Sequence, residues 1–197
     1  MKTSIPVLIT IALVSFALVQ NTQAVSPPPD GGYPGGNTAE GQKALFSLTT
    51  GTYNTAVGFS SLGSNTEGKF NTGVGAGTLL ANTADENTAI GAGALLNTSG
   101  GQNTATGAFA LFNNTIGIQN TANGILTLFN NTTGSDNTAS GLNALAGNTT
   151  GEGNTAVGDV ALLSNTTGNF NTALGLLAGS NVITADNVIC IGAAVST

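Results

Sequence analysis

The chain has 197 residues, with three lysines, no arginine, nine carboxylates and a net charge of -6. So few cations leave no electrostatic footprint for nucleic acid or for an anionic membrane. With no histidine and a single cysteine, the composition excludes Ser-His and Cys-His mechanisms, His-containing metal sites and an intrachain disulfide framework.

Taken in order, residues 1–24 read as a secretory signal. Lys2 supplies the positive start, Ile5 to Val19 an apolar run, and Thr22-Gln23-Ala24 a small-residue cleavage site. The run has 15 residues, short of the roughly 20 that a membrane-spanning helix needs. The mature chain is therefore expected outside the cell, secreted or at the surface, with no membrane insertion. Residues 25–36 follow as a Pro/Gly-rich linker. Pro27, Pro28 and Pro29 favour an extended polyproline segment, and the glycine pairs beyond them favour turns, so this is a spacer or a lead-in cap.

Residues 37–192 are a repeat. Asn-Thr recurs at Asn37, Asn54, Asn71, Asn87, Asn103, Asn120, Asn137, Asn154 and Asn171, at steps of 16 or 17. Counting each Asn as position 1, position 2 is always Thr and position 5 always Gly. Position 3 is Ala except at Gly73, and position 9 is Leu except at Gly179. Most copies carry a second Asn near position 12, as at Asn65, Asn114, Asn131, Asn148 and Asn165, usually followed by Gly at position 15. Self-similarity at a fixed short period is the signature of a solenoid, each copy forming one coil. Disorder is the competing reading of so much Gly, Asn and Thr, but disordered tracts do not hold Leu and Ala in register over nine copies.

The expected fold is mainly β: a parallel β-roll-like solenoid of nine to ten coils of 16–17 residues. In each coil the Thr-Ala-x-Gly run fits a short strand with Ala inward and variable position 4 outward. Stacking nine strands at about 4.8 Å gives a rod about 43 Å long. The second half of the coil is either another short strand or a single helical turn. Apolar residues at positions 6, 9 and 10, such as Ile125, Leu128 and Phe129, have i, i+3, i+4 spacing, and this favours the helical turn. Asn at positions 1 and 12 is expected to bond turn backbone and to stack as ladders. Residues 193–197 read as a C-terminal tail that begins a cut-off coil.

With the coils laid out, the chain resembles the head domains of trimeric autotransporter adhesins and related repeat-built surface fibres. Their coil motif, Asn-Ser-Val-Ala-Ile-Gly, is matched by Asn187-Val188-Ile189-Cys190-Ile191-Gly192, with Cys in the Ala place. A contracted form, Asn-Thr-Ala-Val-Gly or Asn-Thr-Ala-Ile-Gly, stands at Asn54, Asn154 and Asn87. The resemblance covers about Asn37 to Gly192 and implies a left-handed parallel β-roll, a homotrimer and adhesion to a host, matrix or biofilm surface. The repeat here is longer than in those heads, and its Ala-Leu half differs. Similar arrays occur in large bacterial secreted and fibre proteins.

No catalytic, cofactor-binding or metal-binding residue is nominated. Gly73-Val-Gly75-Ala-Gly77 lacks the Gly-Lys-Thr of a phosphate loop, and Asp136, Asp159 and Asp186 are isolated along the chain. Asp85-Glu86 is the one adjacent acidic pair, at a coil junction rather than a cleft. Cys190 lies in an apolar run and reads as a small core residue. The expected role is a non-enzymatic structural or adhesive module of a surface fibre. Its alternatives are an inert spacer and a Thr-ladder solenoid that binds ice or another crystal surface, since Thr recurs in every coil.

Overall fold

The computed structural model describes residues 33–193. The signal, most of the linker and the last four residues of the tail lie outside the described residues.

Each coil contributes one three-residue strand. These are β1 (Thr38–Glu40), β2 (Thr55–Val57), β3 (Thr72–Val74), β4 (Thr88–Ile90) and β5 (Thr104–Thr106). They continue as β6 (Thr121–Asn123), β7 (Thr138–Ser140), β8 (Thr155–Val157), β9 (Thr172–Leu174) and β10 (Ile189–Ile191). All ten lie in one parallel sheet in sequence order, so the molecule is a parallel β-solenoid. The register is that of the repeat: Thr faces Thr and Ala faces Ala, as in Thr104↔Thr121 and Ala105↔Ala122. Neighbouring coils exchange backbone bonds at the strand ends; the Thr38 amide donates to Asn54 O at 2.8 Å, and the Gly58 amide donates back to Glu40 O at 2.6 Å.

Strand alternation puts position 3 inside and positions 2 and 4 outside. Ala56, Ala89, Ala105, Ala122, Ala139, Ala156 and Ala173 are buried, and Cys190 continues that column in β10. Positions 8 and 9 fill the rest of the core, with Leu62 to Leu162 fully buried at position 9. One exception at position 3 explains two at position 8. Ser61 Oγ lies 2.8 Å from Thr78 Oγ1 and donates to Gly73 O at 3.0 Å. A Cβ on residue 73 would sit 2.5 Å from that Ser61 oxygen, so the missing methyl makes room for the hydroxyl pair.

The helical turn expected in the second half of each coil does not form, and no second strand replaces it among the described residues. The i, i+3, i+4 spacing misled because the three residues do not share a face. Ile125 is 52 % exposed while Leu128 is fully buried. The backbone also forbids a helix, since position 9 is left-handed, with φ between 47° and 52° from Leu45 to Leu162. Position 7 and the last residue of the coil are left-handed too, as at Leu126 (φ 56°) and Gln119 (φ 57°). The left-handed region costs an L-residue about 1–2 kcal/mol, and full burial of a Leu returns about 1.5–3 kcal/mol. Stacking also satisfies the amides of this half: the Leu111 amide donates to Thr127 O at 3.0 Å and the Leu128 amide to Ala144 O at 3.0 Å. The coil's second half is thus a chain of turns held by the next coil.

Two close approaches fix glycines. At position 5, Gly124 has φ +140°, and a Cβ there would meet Gly141 O at 2.5 Å. Elsewhere an aromatic ring lies over the coil before it. A Cβ on Gly36 would meet the Tyr53 ring at 3.0 Å, on Gly93 the Phe109 ring at 2.9 Å, and on Gly153 the Phe170 ring at 2.7 Å.

Candidate functional site

The chemistry concentrated inside the rod is amide chemistry. Every position-1 Asn from Asn37 to Asn171 is buried. Each offers its Oδ1 to the backbone amide of position 1 in the following coil, as Asn103 Oδ1 does to the Asn120 amide at 3.0 Å and Asn120 Oδ1 to the Asn137 amide at 3.1 Å. Each Nδ2 reaches the position-15 carbonyl of its own coil, or position 14 in the two 16-residue coils, for example Asn103 to Gly117 O at 2.9 Å. A second column at position 12 meets the first at the same carbonyl, since Asn114 Nδ2 also donates to Gly117 O at 2.9 Å. That column runs by side-chain bonds, Asn131 to Asn114 Oδ1 at 2.8 Å and Asn148 to Asn131 Oδ1 at 2.8 Å. A buried polar group without a partner is costly. Here both columns satisfy their own amides together with the backbone of the turns.

The columns end in apolar residues. Leu48 and Val182 occupy position 12 in the first and ninth coils, and Val188 occupies position 1 beside β10. The Val188 amide takes Asn171 Oδ1 at 2.8 Å, but valine offers no oxygen onward. The pairing places Asn187 one residue before position 1, in the left-handed last place of the coil (φ 58°).

A third column runs outside, in the opposite sense. Side-chain oxygens two residues before the next position 1 accept the matching backbone amide of the coil before: Asp85 from Lys69 at 2.7 Å, Asn169 from Glu152 at 2.9 Å, Asp186 from Asn169 at 2.6 Å. Asp159 accepts the Leu142 amide at 3.0 Å, and Glu86 accepts Gln102 Nε2 at 2.9 Å. These carboxylates therefore serve as backbone and side-chain acceptors spread along the rod. Sequence reasoning weighed them for catalysis and missed this column; its signal was the recurrence of Asp, Asn or Ser two residues before the next Asn-Thr.

Threonines divide into two sets. At position 13 the hydroxyl is committed, as Thr115 Oγ1 is to Thr132 O at 2.8 Å and Thr132 Oγ1 to Thr149 O at 2.9 Å. At position 2, from Thr38 to Thr172, the side chains point outward from the sheet and lie half-buried or exposed.

At the first coil, a cavity of about 550 Å³ opens between Tyr33, Pro34, Ala44, Leu45, Phe46 and Leu48. No carboxylate, lysine or cysteine lines it. Cys190 is buried. Among the described residues, no three His, Cys, Asp or Glu side chains gather as metal ligands, and no helix is long and apolar enough to cross a membrane.

Together these features define a class: a parallel β-solenoid with paired asparagine columns in its core and hydroxyl and apolar rows on its surface. Comparison with protein-family models, curated proteins and solved structures found no match to the chain.

Proposed function

We propose that this protein is a non-enzymatic structural and adhesive module, exported to the cell surface or beyond, whose rods associate in threes as part of a fibre. The observation that carries this reading is the way the polar chemistry is used. Amide columns and carboxylates are committed to holding coil on coil, which suits a rod that bears load or presents a repeated surface. The likeness of the coils to adhesin heads supports the trimer and the adhesive role. So do Phe59 and Phe109, which remain 54 % and 43 % exposed on a single rod. The test is binding of the purified mature chain to immobilised matrix proteins, glycans and biofilm surfaces, with its mass measured by light scattering. Saturable binding and three times the monomer mass support the reading; a stable monomer at micromolar concentration removes the trimer, and a trimer that binds none of these surfaces reduces the module to a spacer.

A second reading rests on the position-2 threonines. Their hydroxyls recur once per coil, about 4.8 Å apart, and make no protein hydrogen bond, unlike those at position 13. Such a row suits an ordered surface such as ice. Thermal hysteresis in the purified protein supports that reading, and ordinary freezing behaviour removes it.

A further inference from the structure

The surface of the rod is segregated by charge. Every charged side chain from Glu67 to Glu152 stands at positions 14 to 17 of its coil. The flank formed by positions 4, 6, 7 and 10 carries none over that span, coils two to seven, and is bounded by Glu40 and Lys43 in coil one and Asp159 in coil eight. It is apolar instead. Phe59, Ile125 and Leu142 at position 6 and Phe109 at position 7 are 43–54 % exposed, and Val57, Val74 and Ile90 line position 4. Where position 4 turns polar, at Asn123 and Ser140, position 6 becomes Ile125 and Leu142; at Thr106 position 6 is Ala108, and the exposed apolar residue of that coil is Phe109 at position 7. Positions 7 and 10 are contiguous, since the Phe109 and Phe112 rings meet edge-on at 5.6 Å and Phe112 stacks on Phe129 at 5.4 Å.

We propose that this charge-free flank is the surface by which copies of the chain pack side by side, the strip of positions 4 and 6 on one rod meeting the strip of positions 7 and 10 on the next. This rests on the trimer reading and says which face turns inward. Two observations point to a second copy as the occupant. The exposed side chains of these coils leave on the order of 500 Å² of apolar surface, at the upper end of what a monomer exposes and of a size that marks an interaction site. The charges of coils two to seven, on Glu67, Lys69, Asp85, Glu86, Asp136 and Glu152, then stay on the outward side, where like-charged copies do not face one another.

The test compares two double variants with the native mature chain by light scattering, with circular dichroism to confirm folding. Ile125→Lys with Leu142→Lys places charge on the flank. Thr133→Lys with Thr150→Lys places it at exposed position 14 on the opposite side. The flank variant is expected to fall threefold in mass to a monomer, and the position-14 variant to keep the native mass. Should the flank variant fail to fold, a nitroxide at Ala108→Cys reads the same contact, because Cys190 is buried. Spin–spin broadening between copies is expected there and not from a label at Thr133→Cys. A trimer that survives charge on the flank, or that broadens at residue 133 and not at 108, overturns this inference while leaving the trimer standing. A monomeric native chain overturns the trimer reading, and the inference with it.

Discussion

Removing one amide from the middle of the inner column measures what that column is worth. In Asn120→Ala, most former partners keep a second bond: Asn103 Oδ1 still accepts the residue-120 amide, Gly134 O still accepts Asn131 Nδ2, and Asn137 Nδ2 still donates to Gly151 O. One group is left with nothing, the buried Asn137 amide, which loses its 3.1 Å bond to Asn120 Oδ1. A buried donor without a partner costs about 1–3 kcal/mol, and the void left by the amide adds about 1 kcal/mol more. For a chain of this size a loss of about 2–4 kcal/mol lowers the melting temperature by about 4–16 °C. The control is Asn130→Ala, at an exposed position 11 one residue from the ladder, expected within about 0.5 kcal/mol of the native protein. Thermal unfolding by circular dichroism reads the difference, and hydrogen exchange at the Asn137 amide reads the local opening that a repeat protein allows. Equal melting temperatures for the two variants, with unchanged protection at residue 137, would refute the claim that these bonds hold the coils.

Leu128→Asp should bury an unpaired charge and lower the melting temperature by many degrees, whereas Asn123→Ser on the outer face should shift it little; differential scanning calorimetry decides, and equal shifts would contradict the inward role of position 9. Gly124→Ala should be as damaging as Leu128→Asp although it adds one methyl group, because that methyl meets Gly141 O at 2.5 Å from a backbone with φ +140°; soluble expression with a native melting temperature would argue against it. Treatment with EDTA should leave the melting temperature unchanged, and a large drop would reveal a metal site.

The strand half of the coil was legible because a period-two pattern with an invariant small residue has one sensible inward face. Thr-Ala-x-Gly gave strand, register and orientation at once, and the structure pairs Ala105 with Ala122 as the repeat demands. The turn half was not legible because its conformation breaks local preference. Nothing about Leu128 announces φ 52°; it is held there by burial and by the amide bond to the next coil, both of which appear only once coils are stacked. The asparagines were legible as a column but not in their division of labour. Both columns donate to one Gly carbonyl of their own coil, and only the stacked coils show that position 1 gives its oxygen to the next backbone amide while position 12 gives it to the next side chain.

The rings that lie over glycines in the preceding coil make the coils individual. Seen from the core, coil 7 and coil 8 could trade places, since both present Asn, Ala, Ala and Leu to the interior. Seen from the rim they could not. Phe170 lies on the bare backbone of Gly153, whereas Phe70 at the same position stacks on the Tyr53 ring, so each ring is matched to what lies beneath it in another repeat. A duplication that set a Cβ under Phe170, or a recombination that set one under Phe109 in place of Gly93, would meet the ring where it now lies, from two units that are each sound alone. The order of the coils is therefore written on the outside of the rod, in pairs one period apart, and a library built by shuffling them should lose its misfolded members at those joints first.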